Sequence, residues 1–235
     1  MQRSEITRPA AILGAAALLL FGFGFALGGI QFESLWLDEA WSAWVVHDNM
    51  PAPDGVRDLL RNVRDSVVNV IQRTANDDVH PPLYYLLLDG WTLLMGESVF
   101  ALRLPSLLAG MLALAATFTL GRRLFWPRAG LMGLLLLLNA GFFVYYAREA
   151  RMYTLLLALC TLAVLAYLHW RQRRTWARGL LLGVCWALIL WTHYLGGLLI
   201  LVLLVHDLAI RTRNDPPLAR RLLRLVWPLL SAALL

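Results

Sequence analysis

Long apolar runs recur along the chain, and they constrain its fold more than any other feature. Hydrophobic residues make up 60% of the 235 residues. An apolar stretch of about 18 residues can cross a bilayer as a helix, because a helix satisfies its own backbone groups. Stretches near this length fall at about 9–30, 100–120, 129–146, 152–170, 176–193, 195–210 and 222–235. They predict an all-α polytopic membrane protein that forms one module over residues 1–235 and is truncated at its C-terminus.

Arginine accounts for the whole positive charge, and its distribution predicts an orientation. The chain carries a net charge of +6 and contains no lysine. The arginines cluster between apolar segments, a pattern typical of cytoplasmic loops and not of a nucleic-acid interface. The clusters are the N-terminus, 121–128, 171–178 and 211–224. If all four face the cytoplasm, an even number of crossings separates neighbouring clusters. This condition makes residues 31–99 one long outer loop.

Two segments of that loop have the pattern of helices that lie beside the membrane. Apolar residues recur at helical spacing over 54–73, with Asp54 placed to cap the helix. The segment 81–95 is apolar but short, opens with two prolines and carries Asp89. A run of this length is typical of an interfacial helix. We therefore expect two juxtamembrane helices in the loop.

Polar residues concentrate in the connections that this topology places on the outer side. Asp38 and Glu39 follow the first helix in "SLWLDEAW", and His80 stands in "HPPLYY" near the end of the long loop. The next outer turn, "YYAREARMY", carries two arginines and Glu149 within a few residues, and "WTHYLGG" forms a further outer turn. Arginines beside a helix N-terminus suit a phosphate, because guanidinium and backbone N–H groups point the same way. An acidic pair facing this turn predicts a site for a phosphorylated, lipid-borne substrate.

The order of five motifs resembles a known enzyme family. "LDEAW", "HPPLYYLLL", "ALRLPSLLAG", "GRRLF" and "YAREARMY" are similar to the N-terminal half of GT-C glycosyltransferases. The resemblance is to the bacterial branch related to dolichyl-phosphate-mannose protein mannosyltransferases and lipid A aminoarabinose transferases. It implies a GT-C type transmembrane bundle with a long first extracytoplasmic loop that carries two juxtamembrane helices.

The resemblance also implies an activity and roles for the clustered residues. The enzyme would transfer a sugar from a polyprenyl-phosphate donor to an acceptor hydroxyl of a protein, lipid or glycan, outside the cytoplasm at the bacterial inner membrane. Asp38 would be the catalytic base for the acceptor hydroxyl. Direct attack by that hydroxyl would invert the configuration of the anomeric carbon. Arg148 and Arg151 would bind the phosphate. The further candidates are Glu39 for catalysis, and His80, Glu149, Tyr153 and His193 for substrate binding.

Two alternatives stay open at this level. Some members of the family hold a divalent metal near this position, and Glu39 and His80 are the candidate ligands, although two residues do not define a metal site. A transporter or flippase for a lipid-linked or anionic substrate would also expose such groups. A transporter places ionisable residues near the bilayer midplane, often on broken helices. The predicted helix centres are almost free of charge, which favours an enzyme.

Overall fold

The structure is a computed structural model, and it describes residues 8–31, 33–47, 56–77, 80–210 and 218–233. All regular elements in these ranges are helices, as the sequence predicts. They are α1 (Arg8–Gly28), α2 (Leu37–Val46), α3 (Val56–Asp77), α4 (Leu83–Met95), α5 (Val99–Leu124), α6 (Pro127–Leu138), α7 (Gly141–Ala147), α8 (Tyr153–Gln172), α9 (Trp176–Thr192), a short 3₁₀ turn (Tyr194–Gly196), α10 (Gly197–Ala209) and α11 (Leu218–Ala233).

Three of the described helices are long and apolar enough to cross a membrane: Pro9–Gly28, Val99–Leu124 and Tyr153–Gln172. A fourth crossing forms if α6 and α7 are one span. Large apolar side chains on α1 point away from the protein, with Leu13, Leu20 and Phe21 each about 70% exposed. Such surface is stable only in contact with lipid. The chain is therefore an all-α membrane protein, as predicted.

The predicted apolar segment 129–146 is a broken helix in the structure. Helix α6 ends at Leu138, α7 begins at Gly141, and the two are bent by 70°. The side-chain amide of Asn139 donates to the Leu135 carbonyl at 2.8 Å. An Asn side chain that bonds its own backbone competes with the helical ladder, which ends the helix here. Helices α9 and α10 are shorter than the other spans, and whether they and α11 cross the bilayer stays a prediction.

Helix α5 is the centre of the membrane bundle and packs against α1, α6 and α8. Small residues allow these close approaches, as is usual between helices in membranes. Ala113, Ala158 and Ala163 are fully buried, and a Cβ atom on Gly130 would lie 2.6 Å from the Phe118 carbonyl oxygen. Helix α9 continues the bundle by packing against α8 and α11.

Helices α2, α3 and α4 form a second layer at one end of the bundle. The sequence predicts α3 and α4 but not α2. Ser66 of α3 donates to the buried carboxylate of Asp89 of α4 at 2.6 Å. The Arg73 side chain donates to the carbonyls of Trp44, Val45 and His47, at the end of α2, at 2.9–3.0 Å. These bonds fix the three helices to one another. The Asp54 cap predicted for α3 lies outside the described residues.

Two of the arginine-rich connections, 121–128 and 171–178, lie at the opposite end of the bundle. Arg171, in the last turn of α8, and Arg174, just after it, pair with the buried carboxylate of Asp207 on α10 at 3.4 and 2.7 Å. Arg123, in the last turn of α5, donates to the Leu165 carbonyl of α8. Helices α5 and α8 therefore run in the same direction, from the layer of α2–α4 towards the arginines. This separation of polar groups defines two chemically different ends.

Candidate functional site

The site begins at the first turn of α2, which holds Asp38 and Glu39. Both carboxylates lie where the free N–H groups of a helix start favour negative charge. The two side chains have different surroundings. Glu39 is fully buried, whereas Asp38 is partly exposed, and no described residue donates a hydrogen bond to its carboxylate.

Glu39 forms a buried ion pair with Arg103 of α5. Arg103 Nε and Nη2 donate to the two carboxylate oxygens at 2.7 and 2.6 Å. The Ala150 N–H donates to the same carboxylate at 2.8 Å. Arg103 also donates to the carbonyls of Ile30 and Glu33 at 2.8 and 2.9 Å. The pair therefore joins the α1–α2 connection, α5 and the turn 148–152.

Arg103 and Tyr85 are site residues that the sequence analysis does not assign. Arg103 stands in "ALRLPSLLAG", a motif used for the family resemblance. A lone arginine near the start of an otherwise apolar helix is a signal in itself, because a charge there needs a buried partner. Its partner is 64 residues away in the chain. No local pattern identifies that partner.

Arg151 contacts the backbone of Asp38 and is almost completely buried, with 4% of its surface exposed. Its Nη1 donates to the Tyr85 hydroxyl at 3.2 Å and is 3.4 Å from the Asp38 carbonyl oxygen. The guanidinium is 5.9 Å from the centre of the Tyr153 ring. Its Nε–H has no hydrogen-bond partner among the described residues. This group is therefore a buried charged donor without an acceptor among the described residues.

Arg148 points in another direction. Its Nη2 and Nε donate to the carbonyls of Phe25 and Ala26, at the end of α1, at 2.7 and 3.2 Å. The guanidinium also lies 4.9 Å from the centre of the Phe25 ring. Carbonyls at a helix C-terminus lack partners within the helix, so a cation there is stabilising. Arg148 thus ties α1 to the turn.

Glu149 is buried without a partner. Only 4% of its surface is exposed, and neither carboxylate oxygen accepts a hydrogen bond with normal geometry from the described residues. Burial raises the pKa of Glu149, an effect that the nearby Tyr145 hydroxyl opposes in part. Its side chain borders a chamber of about 300 Å³ at the end of α1. The lining residues are Gly29, Glu33, Ser34, Trp36, Glu39, Arg103, Tyr145, Arg148 and Glu149.

His80 and His193 lie together at the same end, as the sequence analysis expects. Their ring centres are 5.1 Å apart in an edge-to-face arrangement. His193 Nδ1 accepts a hydrogen bond from the Leu195 N–H at 3.2 Å. Burial lowers the pKa of His193, and the neighbouring His80 and Arg151 side chains lower it further. A neutral ring at neutral pH is expected. Tyr153 packs on Tyr146 with ring centres 4.3 Å apart.

The two candidate metal ligands do not make a metal site. Both oxygens of Glu39 accept hydrogen bonds from Arg103, and a guanidinium at this distance disfavours a second cation. Among the described residues there is no group of three His, Cys, Asp or Glu side chains placed to hold an ion. Glu39 is therefore a poor fit to a metal ligand.

Comparison with known proteins identifies the family. The family model for dolichyl-phosphate-mannose-protein mannosyltransferases matches residues 79–235, which is more than half of the chain. The match covers Arg103, Arg151, His80 and His193, while Asp38 and Glu39 precede it. No curated protein and no solved structure matches the chain. The resemblance found in the motifs is confirmed, and the chain belongs to this family of membrane glycosyltransferases that use polyprenyl-phosphate sugar donors.

Proposed function

We propose that the chain transfers a sugar from a polyprenyl-phosphate donor to an acceptor hydroxyl by one displacement step, at the extracytoplasmic face of a bacterial inner membrane. The observation that carries this proposal is the meeting of Asp38 with Arg151. Residues 113 positions apart come within 3.4 Å. The contact joins the buried Arg151 guanidinium to the backbone carbonyl of Asp38, a residue whose carboxylate is partly exposed. It lies at the end of the bundle opposite the arginine-rich connections 121–128 and 171–178.

Arg151 is the group proposed to bind the phosphate. The bond between the anomeric carbon and the phosphate oxygen breaks with its electron pair on the phosphate, so negative charge grows there. A preorganised guanidinium lowers the free energy of that charge without reorganising. The unpartnered Nε–H of Arg151 supports this role, because a buried donor without an acceptor is costly unless a ligand supplies one. Arg148 already serves the α1 carbonyls. The geometry favours Arg151 over Arg148 as the phosphate ligand.

Asp38 is the proposed base. The acceptor oxygen attacks the anomeric carbon from the face opposite the phosphate, and its proton passes to the Asp38 carboxylate. Because no covalent enzyme intermediate forms, the anomeric configuration inverts. The carboxylate is partly exposed and has no donor among the described residues, which supports its availability for a proton.

Glu39 is better suited to positioning than to proton transfer. Its two oxygens accept three hydrogen bonds, two from Arg103 and one from the Ala150 N–H. Three donors thus fix the position of this carboxylate and occupy both of its oxygens. We propose that Glu39 sets the separation between α2, which carries Asp38, and the turn that carries Arg151. His80, Tyr153 and His193 then form the surrounding substrate wall.

The test is turnover of a polyprenyl-phosphate sugar by the purified full chain in lipid nanodiscs. Replacing the base in the Asp38→Asn variant is expected to lower kcat by about 10²–10⁴-fold, the usual contribution of a general base. Asp65→Asn, on α3, is the matched control and is expected to keep wild-type turnover. The product's anomeric configuration, read by NMR, is expected to be inverted. Full turnover by Asp38→Asn, or retention of configuration, would exclude this mechanism.

A further inference from the structure

The chamber bordered by Glu149 is separate in its chemistry from the Asp38–Arg151 pair. It is enclosed by the end of α1, the α1–α2 connection, α5 and the end of α7. Neither Asp38 nor Arg151 lines it. Nothing in the transfer mechanism proposed above uses it.

The charges in the chamber are not balanced by the protein. Three acidic residues line it: Glu33, Glu39 and Glu149. The Arg103 guanidinium is committed to Glu39 and to backbone carbonyls, and Arg148 is committed to α1. Both buried oxygens of Glu149 accept no hydrogen bond of normal geometry from the described residues. Three acidic residues line the chamber against two arginines that are engaged elsewhere, so a phosphate, which brings only acceptors and negative charge, fits it poorly.

The size and walls of the chamber restrict the ligand further. A volume of about 300 Å³ is at the lower end of small-molecule sites. It accommodates one ring with its substituents and not a long chain. Trp36 and Tyr145 are among the lining residues, and the C–H face of a sugar ring packs well on an aromatic side chain. A sugar ring combines that face with several hydroxyl donors.

From these features we infer that the chamber is a sugar subsite, in which the Glu149 carboxylate accepts hydrogen bonds from a hydroxyl or ammonium group of the ring. This inference rests on the proposed function. The sugar has two sources with the same chemistry: the glycosyl group of the donor, or a sugar on the acceptor. In either case the subsite fixes the ring while Arg151 holds the phosphate.

Binding of three probes to the full chain in nanodiscs tests the inference: undecaprenyl phosphate, undecaprenyl-phosphate mannose, and methyl α-mannoside added over saturating donor. In the Glu149→Gln variant, affinity for a sugar-bearing probe is expected to fall about tenfold or more, since charge-assisted bonds are lost. Affinity for undecaprenyl phosphate, which carries no sugar, is expected to stay within about twofold. Glu97→Gln, at an exposed carboxylate paired with His47, is the matched control.

The pattern of loss identifies the source of the sugar. Weaker binding of the lipid-linked mannose assigns the chamber to the donor, and weaker binding of methyl α-mannoside alone assigns it to the acceptor. Equal affinity of wild type and Glu149→Gln for every probe would overturn the inference and leave the proposed function standing. A wild-type chain that binds neither lipid probe would overturn both.

Discussion

Glu39 and Glu149 show how burial separates two carboxylates of the same site. Both are nearly inaccessible, with 0% and 4% of their surfaces exposed. Glu39 is compensated by a guanidinium and a backbone N–H, whereas Glu149 accepts no hydrogen bond of normal geometry from the described residues. An unsatisfied buried carboxylate is unfavourable for folding and available for binding. The two residues thus contrast a compensated buried carboxylate with an uncompensated one.

Removing the charge of Glu149 is expected to stabilise the ligand-free protein. A carboxyl whose pKa is raised on folding holds its proton more tightly in the folded state, so stability falls as pH rises from the ordinary carboxyl pKa through the raised one. Glu149→Gln avoids this loss. The free energy of unfolding of the variant should equal that of wild type at about pH 4. It should exceed the wild-type value by roughly 1–2 kcal/mol near neutral pH. Thermal unfolding in nanodiscs across this range measures it, and a destabilised variant at neutral pH would contradict the expectation.

Breaking the Glu39–Arg103 pair is expected to have the opposite effect. Arg103→Met leaves the Glu39 carboxylate buried and uncompensated, a change that costs about 3–5 kcal/mol. Arg64→Met is the matched control, because that guanidinium is exposed and its pair with Asp65 contributes at most about 1 kcal/mol. The double variant Glu39→Leu/Arg103→Met should recover part of the loss in denaturation midpoint. Additive losses would show that the two side chains do not interact.

The candidate site could be predicted in part at this scale. Topology and motif order bring Asp38, Arg151, His80 and His193 to one end, and the structure places them there. The sequence pairs Arg148 with Arg151, but the two guanidiniums contact different elements. Side-chain direction within a five-residue turn depends on tertiary contacts, here the carbonyls of α1, and adjacency in sequence does not report it.

At the scale of elements, the unpredicted features are helix α2 and the break between α6 and α7. The segment Leu37–Val46 is short and mixes acidic and aromatic residues, so it lacks the apolar stripe that identifies α3. Its helix is stabilised by packing of Val45 and Val46 against α3 and α4. The break follows from Asn139 and Gly141 inside an apolar run whose composition alone predicts a continuous span. Tertiary context decides both cases.

The α5–α6 hairpin depends on a glycine contact. A Cβ atom on Gly130 would lie 2.6 Å from the Phe118 carbonyl oxygen, which is backbone and cannot move aside. Gly130→Val is expected to separate the helices and destabilise the protein by about 2 kcal/mol or more, as overpacking in a close interface does. Gly24→Val on α1 is the matched control, because no atom lies within 4 Å of its Cβ position. Equal thermal midpoints for the two variants would contradict this packing.

At the scale of the whole molecule, the arrangement of the two ends follows from charge and apolar length. Parallel α5 and α8 carry the site at their starts and arginines at their ends, and α10 returns Asp207 to the arginine end. This general plan was predictable because the spacing of apolar and arginine-rich segments is local information. The exact packing of α2–α4 over the bundle was not, since it rests on contacts such as Ser66 with Asp89.

The orientation in the membrane is the last expectation, and substituted cysteines test it. The positive-inside rule places the arginine end in the cytoplasm and the Asp38 end outside. In a background with Cys160 and Cys185 replaced by alanine, Ser98→Cys lies at the exposed start of α5, and Gln172→Cys lies at the exposed end of α8. A membrane-impermeant maleimide applied to intact spheroplasts should label Ser98→Cys and should label Gln172→Cys only after permeabilisation. The reverse pattern would place the proposed catalytic groups in the cytoplasm and the arginine-rich connections outside, contrary to the positive-inside rule.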